Sequence, residues 1–308
     1  MTAAGAAVSA ARPKAWLVYA LATTILWGLW GAFTDVSARR GFPETLVYCV
    51  WSVTMIAPAL YALAHAGWRL NCDPWSIVYG TIIGLLGAGG QLVLFYAVTA
   101  GPAYLVFPVI SLSPVVTIAL SYLLLGERTN WVGAAGILLA LVALPLFDFS
   151  FEGLGEDRTL GQGLGWFLLS LIVMGSWGVQ AFFMKLANRH MRAESIFFYM
   201  TATGLLLAPV AWAMTDFSKP INWGADGPYL AAGIQLLNAI GALTLVYAFR
   251  YGQAIVVCPL ANAGAPLMTA VISVLALGSV PSGPKLVGIA LACIAAVLLS
   301  LTPDEETA

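Results

Sequence analysis

Polar and aromatic side chains inside long apolar stretches are the residues of this sequence best suited to bind another molecule. Carboxamides, hydroxyls and indoles donate or accept hydrogen bonds without acting as an acid or a base near neutral pH. A few such groups in apolar surroundings are typical of a small-molecule pocket. The candidate binding residues are Trp27, Trp30, Gln91, Tyr104, Ser111, Ser113, Trp177, Gln180, Asn238 and Asn262. A second interpretation of the carboxamides stays open, because a hydrogen bond between membrane helices is itself stabilising by about 0.6 kcal/mol.

The residue types that carry out catalysis are missing from the middle of these stretches. No Asp, Glu, His or Lys lies there, and His65 and His190 lie at the ends. The four cysteines are far apart and form no CxxC or Cys/His cluster. The sequence therefore argues against an acid/base enzyme or a metalloprotease, and we expect no catalytic residue, no metal site and no cofactor. It also argues against proton coupling through a buried carboxylate.

The tryptophans follow a helical spacing. Thr23, Trp27, Trp30 and Thr34 are four, three and four residues apart, which places them on one helix face. Trp177 and Gln180 repeat the spacing of Trp27 and Trp30. An aromatic belt at the membrane surface does not explain Trp27 and Trp177, which lie near the middle of their apolar stretches. Plain packing and the lining of a cavity both remain open for them.

Prolines interrupt two of the apolar stretches at matching places. Pro108 and Pro114 lie in the apolar stretch at residues 103–125, the fourth along the chain. Pro259 and Pro266 lie in the stretch at residues 254–277, the ninth. Each proline removes a backbone hydrogen bond, so we expect helix breaks at these four positions. Interrupted helices at corresponding places in two halves of a transporter indicate a transport site, whereas simple kinks that shape the bundle are the alternative.

The amino-acid composition indicates the class of protein that holds these residues in place. Of 308 residues, 61% are hydrophobic and 9% are charged, whereas about 25% are charged in soluble proteins. Thirteen Lys and Arg against fourteen Asp and Glu leave a net charge of -1. The chain is therefore expected to be a membrane protein whose partners are the lipid bilayer and a small molecule, with no nucleic acid.

Ten apolar stretches are long enough to cross a bilayer, since a crossing takes about 20 residues. They span residues 15–37, 45–64, 75–99, 103–125 and 131–146, then 164–187, 193–214, 229–251, 254–277 and 284–301. This pattern predicts an all-α integral membrane protein with ten transmembrane helices.

The two halves of the chain repeat each other. Trp27-Gly28 matches Trp177-Gly178 at a shift of 150, Tyr96-Ala97 matches Tyr247-Ala248 at 151, and Gly136 matches Gly288 at 152. The predicted units are a first five-helix repeat at 1–146, a connecting loop at 147–163 and a second repeat at 164–308. Because five is odd, the second repeat enters the membrane in the opposite sense, so the repeats are inverted. Inverted repeats are common in transporters, with the substrate site near the midplane between them.

Lys and Arg in the loops predict the orientation, because they are more frequent on the cytoplasmic side. With the amino terminus inside, the cytoplasmic side holds Arg12, Lys14, Arg69, Arg128, Lys185, Arg189, Arg192 and Arg250. The outer side holds Arg39, Arg40, Arg158, Lys219 and Lys285. The count favours an inner-membrane protein with both termini in the cytoplasm.

Asp35 and Lys185 occupy the same position in the two repeats. Each lies about 30 Å along its helix, at a rise of about 1.5 Å per residue. Since the repeats are inverted, the two residues are expected near opposite membrane faces, each extending toward the interface or pairing locally. Asp35, Arg39 and Lys185 are therefore candidate gate residues.

The stretch SPVVTIALSYLLLGERTNWVGAAGILLALVAL, from Ser113 to Leu144, resembles the EamA-type permeases of the drug/metabolite transporter superfamily. In that family a proline-containing fourth helix ends in a Gly-Glu pair, here Gly126-Glu127, and a fifth helix rich in small residues follows. The resemblance covers essentially the whole chain. It departs in the second half, where Ser279 follows Gly278, and this difference favours a structural role for Glu127.

The resemblance and the predicted architecture together indicate a transporter that works by alternating access through a central cavity. By resemblance, the leading solute is an amino acid or a related small polar metabolite. The alternative solute is a hydrophobic organic cation or quaternary amine, which Trp27, Trp30 and Trp177 would hold by cation–π contact. A remoter alternative is a membrane sensor or subunit that does not transport. The chain is expected to be a monomer or a homodimer.

Overall fold

The computed structural model describes residues 14–101, 103–148, 165–277 and 283–302. These ranges are helical throughout, with short turns and no strand among them. The first half consists of α1 (Ala15–Phe33), α2 (Val36–Arg39), α3 (Glu44–Thr54), α4 (Ile56–His65), α5 (Pro74–Ala100), α6 (Ala103–Ile110), α7 (Ser113–Leu120) and α8 (Trp131–Asp148). The second half consists of α9 (Gly165–Ala187), α10 (Ala193–Ala213), α11 (Leu230–Tyr251), α12 (Ala254–Leu277) and α13 (Gly283–Ser300). Most of the predicted connecting loop at 147–163 lies outside the described residues.

These helices confirm the ten predicted crossings. Within the described ranges, nine spans are long and apolar enough to cross a membrane, and a shorter apolar helix at Trp131–Phe147 supplies the fifth crossing. The second crossing comprises α3 and α4. The fourth comprises α6, α7 and a π-helical turn at Ser121–Leu125. A long apolar run becomes a helix in hydrocarbon because only a helix or a closed barrel satisfies every backbone hydrogen bond internally.

Local signals in the sequence set several helix ends. Asp73 begins α5 by accepting a hydrogen bond from the backbone N–H of Ser76, and Pro74 follows in the first helical turn. Gly126 ends the fourth crossing with a φ of 70°, a left-handed conformation that favours glycine. The chain is thereby turned toward Glu127 and the fifth crossing.

Of the four expected helix breaks, the one at Pro114 occurs, whereas Pro108 lies inside α6 and the ninth crossing is unbroken. Pro114 leaves the carbonyl of Ile110 without its usual donor, and α6 ends at Ile110 before α7 begins at Ser113. Helix α12, in contrast, runs continuously through Pro259 and Pro266, so the prediction of matching interruptions is wrong there. Helix α12 packs along α1.

The first helix of each repeat packs against the third crossing of the other repeat. In α1, Trp16 lies directly over Gly252 at the end of α11, and in α9, Trp166 lies directly over Gly101 at the end of α5. A side chain at either glycine would overlap the tryptophan. The two contacts join corresponding positions of the two halves, so the sequence repeat is also a repeat of packing.

The first helix of each repeat also contacts the fourth crossing of the other repeat through a hydroxyl and a glycine. Thr269 in α12 donates to the carbonyl of Gly28 at 3.0 Å, and Thr117 in α7 donates to the carbonyl of Gly178 at 2.9 Å. These glycines allow the helices to approach closely, as small residues do in membrane proteins.

The last crossings of the two repeats pack against each other. Gly136 in α8 lies against Leu298 in α13, and Gly288 in α13 lies against Leu146 in α8. Because Gly136 and Gly288 are corresponding positions of the repeats, each repeat makes the same contact with the other. The architecture is therefore ten transmembrane helices in two inverted five-helix repeats.

Candidate solute-binding site

Trp27 and Trp177 occupy equivalent positions and make equivalent contacts. The Nε1 atom of Trp27 donates to the carbonyl of Asn238 at 3.3 Å, and Nε1 of Trp177 donates to the carbonyl of Gly87 at 3.3 Å. Each indole lies over a glycine, Gly241 for Trp27 and Gly90 for Trp177. Both side chains are half-buried. These two indoles therefore anchor α1 on α11 and α9 on α5, as packing residues do, while one part of each ring stays accessible.

Trp30 lies one turn further along α1 and contacts a residue that the sequence reasoning missed. Its Nε1 atom donates to Oε1 of Gln235 at 3.2 Å, and Nδ2 of Asn238 approaches the same oxygen at 3.5 Å. Gln235 is buried. The signal that would have identified Gln235 is its spacing, since it lies three residues before Asn238 on one face of α11.

Gln91 and Gln180 lie on the facing helices α5 and α9. The amide of Gln180 packs against Gly87, where an added Cβ would lie 2.8 Å from Cδ of Gln180. Gln91 follows Gly90, which lies under Trp177. Both glutamines are half-buried, and neither has a hydrogen-bond partner among the residues that the structure describes.

Asn262 belongs to a chain of contacts that joins α12, α7 and α9. Its Nδ2 atom donates to the carbonyl of Cys258 at 2.9 Å. The thiol of Cys258 lies 3.6 Å from Oγ1 of Thr117, which in turn donates to the carbonyl of Gly178. Asn262 is half-buried, and its Oδ1 atom has no partner in the described ranges.

The remaining predicted site residues lie in the fourth crossing. Ser111 donates to the carbonyl of Pro108 at 2.9 Å. The Ser111 hydroxyl therefore gives this carbonyl a hydrogen bond at the helix break. Ser113 is buried, and its carbonyl lies against Gly178. Tyr104 lies in α6, but its side chain falls outside the described part of the structure.

The predicted site residues thus form three groups around the contacts between the repeats. The group on α1 and α11 contains Trp27, Trp30 and Asn238. The group on α5 and α9 contains Gln91, Trp177 and Gln180, and Asn262 lies in the third group on α12 and α7. Among the described residues, no hydrogen bond directly joins a predicted site residue of one group to a predicted site residue of another.

The candidate gate residues do not form one unit. Asp35 pairs with Arg39 at 2.7 Å, one turn along the chain, and more than half of each side chain is exposed. Arg40 lies 3.7 Å from Asp226 at the same end of the molecule. Lys185 lies at the other end of the molecule, in a separate cluster.

Lys185 is buried and paired, so of its two expected arrangements the structure shows local pairing and not extension toward the interface. Its Nζ atom donates to the carbonyl of Gly252 at 2.8 Å and lies 3.9 Å from Oε1 of Glu127. The other oxygen of Glu127 accepts the backbone N–H of Ile255 at 3.0 Å. Only 4% of the Lys185 side chain and 1% of the Glu127 side chain are exposed. The two charges therefore join the ends of α9 and the fourth crossing to the turn between α11 and α12.

The described ranges contain no group of His, Cys, Asp or Glu that could hold a metal ion. The four cysteines are free.

Two stretches of the chain match the EamA-like transporter family, residues 14–147 and residues 164–301. The chain is 35% identical over 134 residues to an uncharacterised protein of Methanocaldococcus jannaschii, a match that covers 44% of this chain and 96% of that protein. It is 27% identical over 178 residues to the pseudopaline exporter CntI of Pseudomonas aeruginosa. That match covers 56% of this chain and 58% of the exporter, less than two thirds of its length.

A solved crystal structure of a protein shares the fold, with a TM-score of 0.77 over 94% of this chain and 99% of that chain, at 21% identity. The family matches cover most of both halves and agree with the ten-helix architecture. The chain therefore belongs to the EamA-like transporter family of the drug/metabolite transporter superfamily, and it is a multi-pass membrane transporter rather than an enzyme.

Proposed function

We propose that the protein transports a small polar metabolite, with an amino acid or a related compound as the leading class, through a cavity between the repeats. The observation that carries this proposal is a set of half-buried carboxamides with atoms left unpartnered. Gln91, Gln180 and Asn262 lie on helices that carry the contacts between the repeats. Hydrocarbon offers such atoms no hydrogen bond, and leaving them unpaired is costly. A cavity that holds water or a polar solute satisfies them.

The inverted packing supports alternating access as the mechanism. The first helix of each repeat contacts the third and fourth crossings of the other repeat, so each repeat forms one half of a shared interface. Rocking of one repeat against the other would exchange these equivalent contacts and open the cavity to either side in turn. The break between α6 and α7 places irregular backbone in the fourth crossing, beside this interface.

An organic cation is the second candidate solute. The half-buried indoles of Trp27, Trp30 and Trp177 support it, because an indole face attracts a cation. The pseudopaline exporter among the relatives supports a small-molecule cargo and outward transport.

The proposed setting is the inner membrane, with both termini in the cytoplasm, as a monomer or homodimer. Reporters placed after Ala308 and between Gly153 and Thr159 should read cytoplasm and exterior, respectively. Reporters on the same side of the membrane would contradict this topology.

Purified protein in liposomes tests the function directly, because only a transporter equilibrates a radiolabelled amino acid faster than empty liposomes do. Gln91→Leu and Asn262→Leu should each weaken binding about tenfold or more, since one unpaired buried group costs about 1 to 3 kcal/mol and about 1.4 kcal/mol corresponds to tenfold. Thr159→Lys and Ser218→Lys are controls. If no amino acid exchanges above the empty-liposome rate, the amino acid proposal is wrong; if both Leu variants bind like the parent, these carboxamides only join helices.

A further inference from the structure

The contacts of Gln235 determine which end of its amide is free. An indole N–H only donates, so the group of Gln235 that faces Nε1 of Trp30 is its carbonyl oxygen. The –NH2 group of Gln235 points elsewhere and has no hydrogen-bond partner among the described residues. Gln235 as a whole is only 4% exposed. Its Nε2 atom, however, is not fully enclosed by the described residues. The donor end of a buried amide is thus left open.

The contact with Gln235 also orients the Asn238 amide, with its nitrogen toward Gln235. Its Nδ2 atom faces Oε1 of Gln235 at 3.5 Å, so its own carbonyl oxygen is turned away. That oxygen also has no partner in the described part of the chain and is not enclosed. The backbone of Asn238 is held separately, because its carbonyl accepts the indole N–H of Trp27. Two tryptophans of α1 therefore hold this turn of α11.

The two amides are neighbours on one face of α11. Residues three apart are neighbours on a helix and differ by about 4.5 Å along the axis. The carboxylate and the ammonium group of an α-amino acid are joined through one carbon atom. A solute of this kind presents acceptors and donors at a spacing that suits one turn of helix.

We propose that Trp30 orients the amides of Gln235 and Asn238 so that α11 presents a hydrogen-bond donor beside an acceptor, and that this pair selects solutes with adjacent carboxylate and ammonium groups. The inference rests on the proposed function and narrows it. A cation without a carboxylate would leave the –NH2 group of Gln235 unpaired, which disfavours simple amines. Gln235 becomes a specificity residue for the carboxylate.

The equivalent positions in the first repeat are different. In the alignment of the two halves, Gly84 corresponds to Gln235 and Gly87 corresponds to Asn238. Gln180, which corresponds to Trp30, lies over Gly87. The oriented pair is therefore confined to α11, as expected for a feature that recognises an asymmetric solute. A purely structural contact would not require the donor end of Gln235 to stay open.

The test compares each L-amino acid with the amine that lacks its carboxylate, for example phenylalanine with phenethylamine. Binding to the purified full chain is measured by thermal shift and by competition against a radiolabelled amino acid. The parent should bind at least one amino acid about tenfold or more tightly than its amine, the value of one hydrogen bond to a charged group. Trp30→Phe keeps a ring but frees the Gln235 amide to rotate, so this ratio should fall about tenfold.

Two further variants separate orientation from packing. Gln235→Met keeps the length of the side chain and removes the donor, so the preference for the amino acid should also fall about tenfold. Gln235→Glu keeps the acceptor for Trp30 but presents an oxygen outward, so the ratio should shift toward the amine. The controls are Trp75→Phe, at an exposed tryptophan, and Asn130→Asp, at an exposed helix start; both should keep the parental ratio.

The outcomes distinguish this inference from the proposed function. A parent that binds no amino acid overturns both. A parent that prefers the amines overturns the inference and favours the cation alternative. A parent that prefers amino acids, with an unchanged ratio in folded Trp30→Phe and Gln235→Met, overturns the inference alone, because amino acid binding then stands without the oriented pair.

Discussion

Replacing Lys185 by Met should destabilise the protein strongly, because it removes one partner of a buried charge pair. At 3.9 Å, two unit charges attract by about 4 kcal/mol at an effective dielectric constant of about 20. The substitution also removes the hydrogen bond from Lys185 to the carbonyl of Gly252. Removing one member of a buried pair typically costs about 3 to 5 kcal/mol, and we expect a value in this range.

A second substitution shows whether the cost comes from the Glu127 charge that stays buried. Glu127→Gln removes the negative charge but keeps an oxygen that accepts the N–H of Ile255. The double variant should therefore regain at least half of the stability that Lys185→Met loses. Thermal and denaturant unfolding of the purified protein in detergent measure both effects. The control is Lys219→Met, because Lys219 is largely exposed, and surface pairs contribute little.

This reasoning is refuted if Lys185→Met unfolds like the parent, or if the double variant is no more stable than Lys185→Met alone. The first result would mean that water reaches the Lys185 ammonium group and Glu127 in solution. The second would assign the loss to the packing of the lysine stem.

Two other predictions concern the helix contacts and a helix start. Gly241→Ala should destabilise the protein by about 1 to 3 kcal/mol, because the added methyl group would lie 2.6 Å from Nε1 of Trp27. The control is Gly233→Ala in the same helix, where the added methyl group meets no atom within 4 Å. This variant should be neutral or stabilising in the same unfolding assay. Asp73→Ala should lower stability at neutral pH, and its difference from the parent should shrink in acid, because hydrogen bonds from Ser76 hold the pKa of Asp73 below its ordinary value. That contribution is complete above the ordinary pKa and is lost as the pH falls through the lower pKa of the folded state; a difference that grows in acid contradicts the assignment.

The sequence was sufficient for the architecture because its signals are local or periodic. A crossing needs only a long apolar run, and the inversion follows from a repeat that contains an odd number of crossings. The break at Pro114 was likewise predictable from the loss of one backbone donor. The continuity of α12 was not, because the same argument predicts breaks at Pro259 and Pro266, and the helix runs through both.

The site was less predictable, because burial and amide orientation depend on neighbours from distant parts of the chain. Gln235 was missed because its role depends on Trp30, from the other repeat. Lys185 was expected to extend toward the interface or to pair locally, and its ion-pair partner Glu127 was not identified because that residue lies in the first half of the chain. The ten predicted site residues remain a proposal, which the binding experiments test.

The two ends of the molecule make different contacts, and this difference bears on the proposed alternating access. Lys185 donates to the carbonyl of Gly252, whereas Asp35, at the same repeat position, pairs with Arg39 instead. Ser279 stands where Glu127 would be needed. If the repeats exchange conformations, the charge pair has no counterpart in the other state.

The state closed at the Lys185 end should therefore be favoured, and Lys185→Met should weaken that preference. Cys258 is a natural reporter, because it is buried and lies one turn beyond Ile255, the residue that Glu127 holds. In a chain whose other three cysteines are replaced by alanine, a small maleimide should label Cys258 faster after Lys185→Met than before, while Asp35→Asn should leave the rate unchanged. Equal labelling rates in the Lys185→Met chain and its parent would show that the charge pair stabilises the fold without biasing the transport cycle.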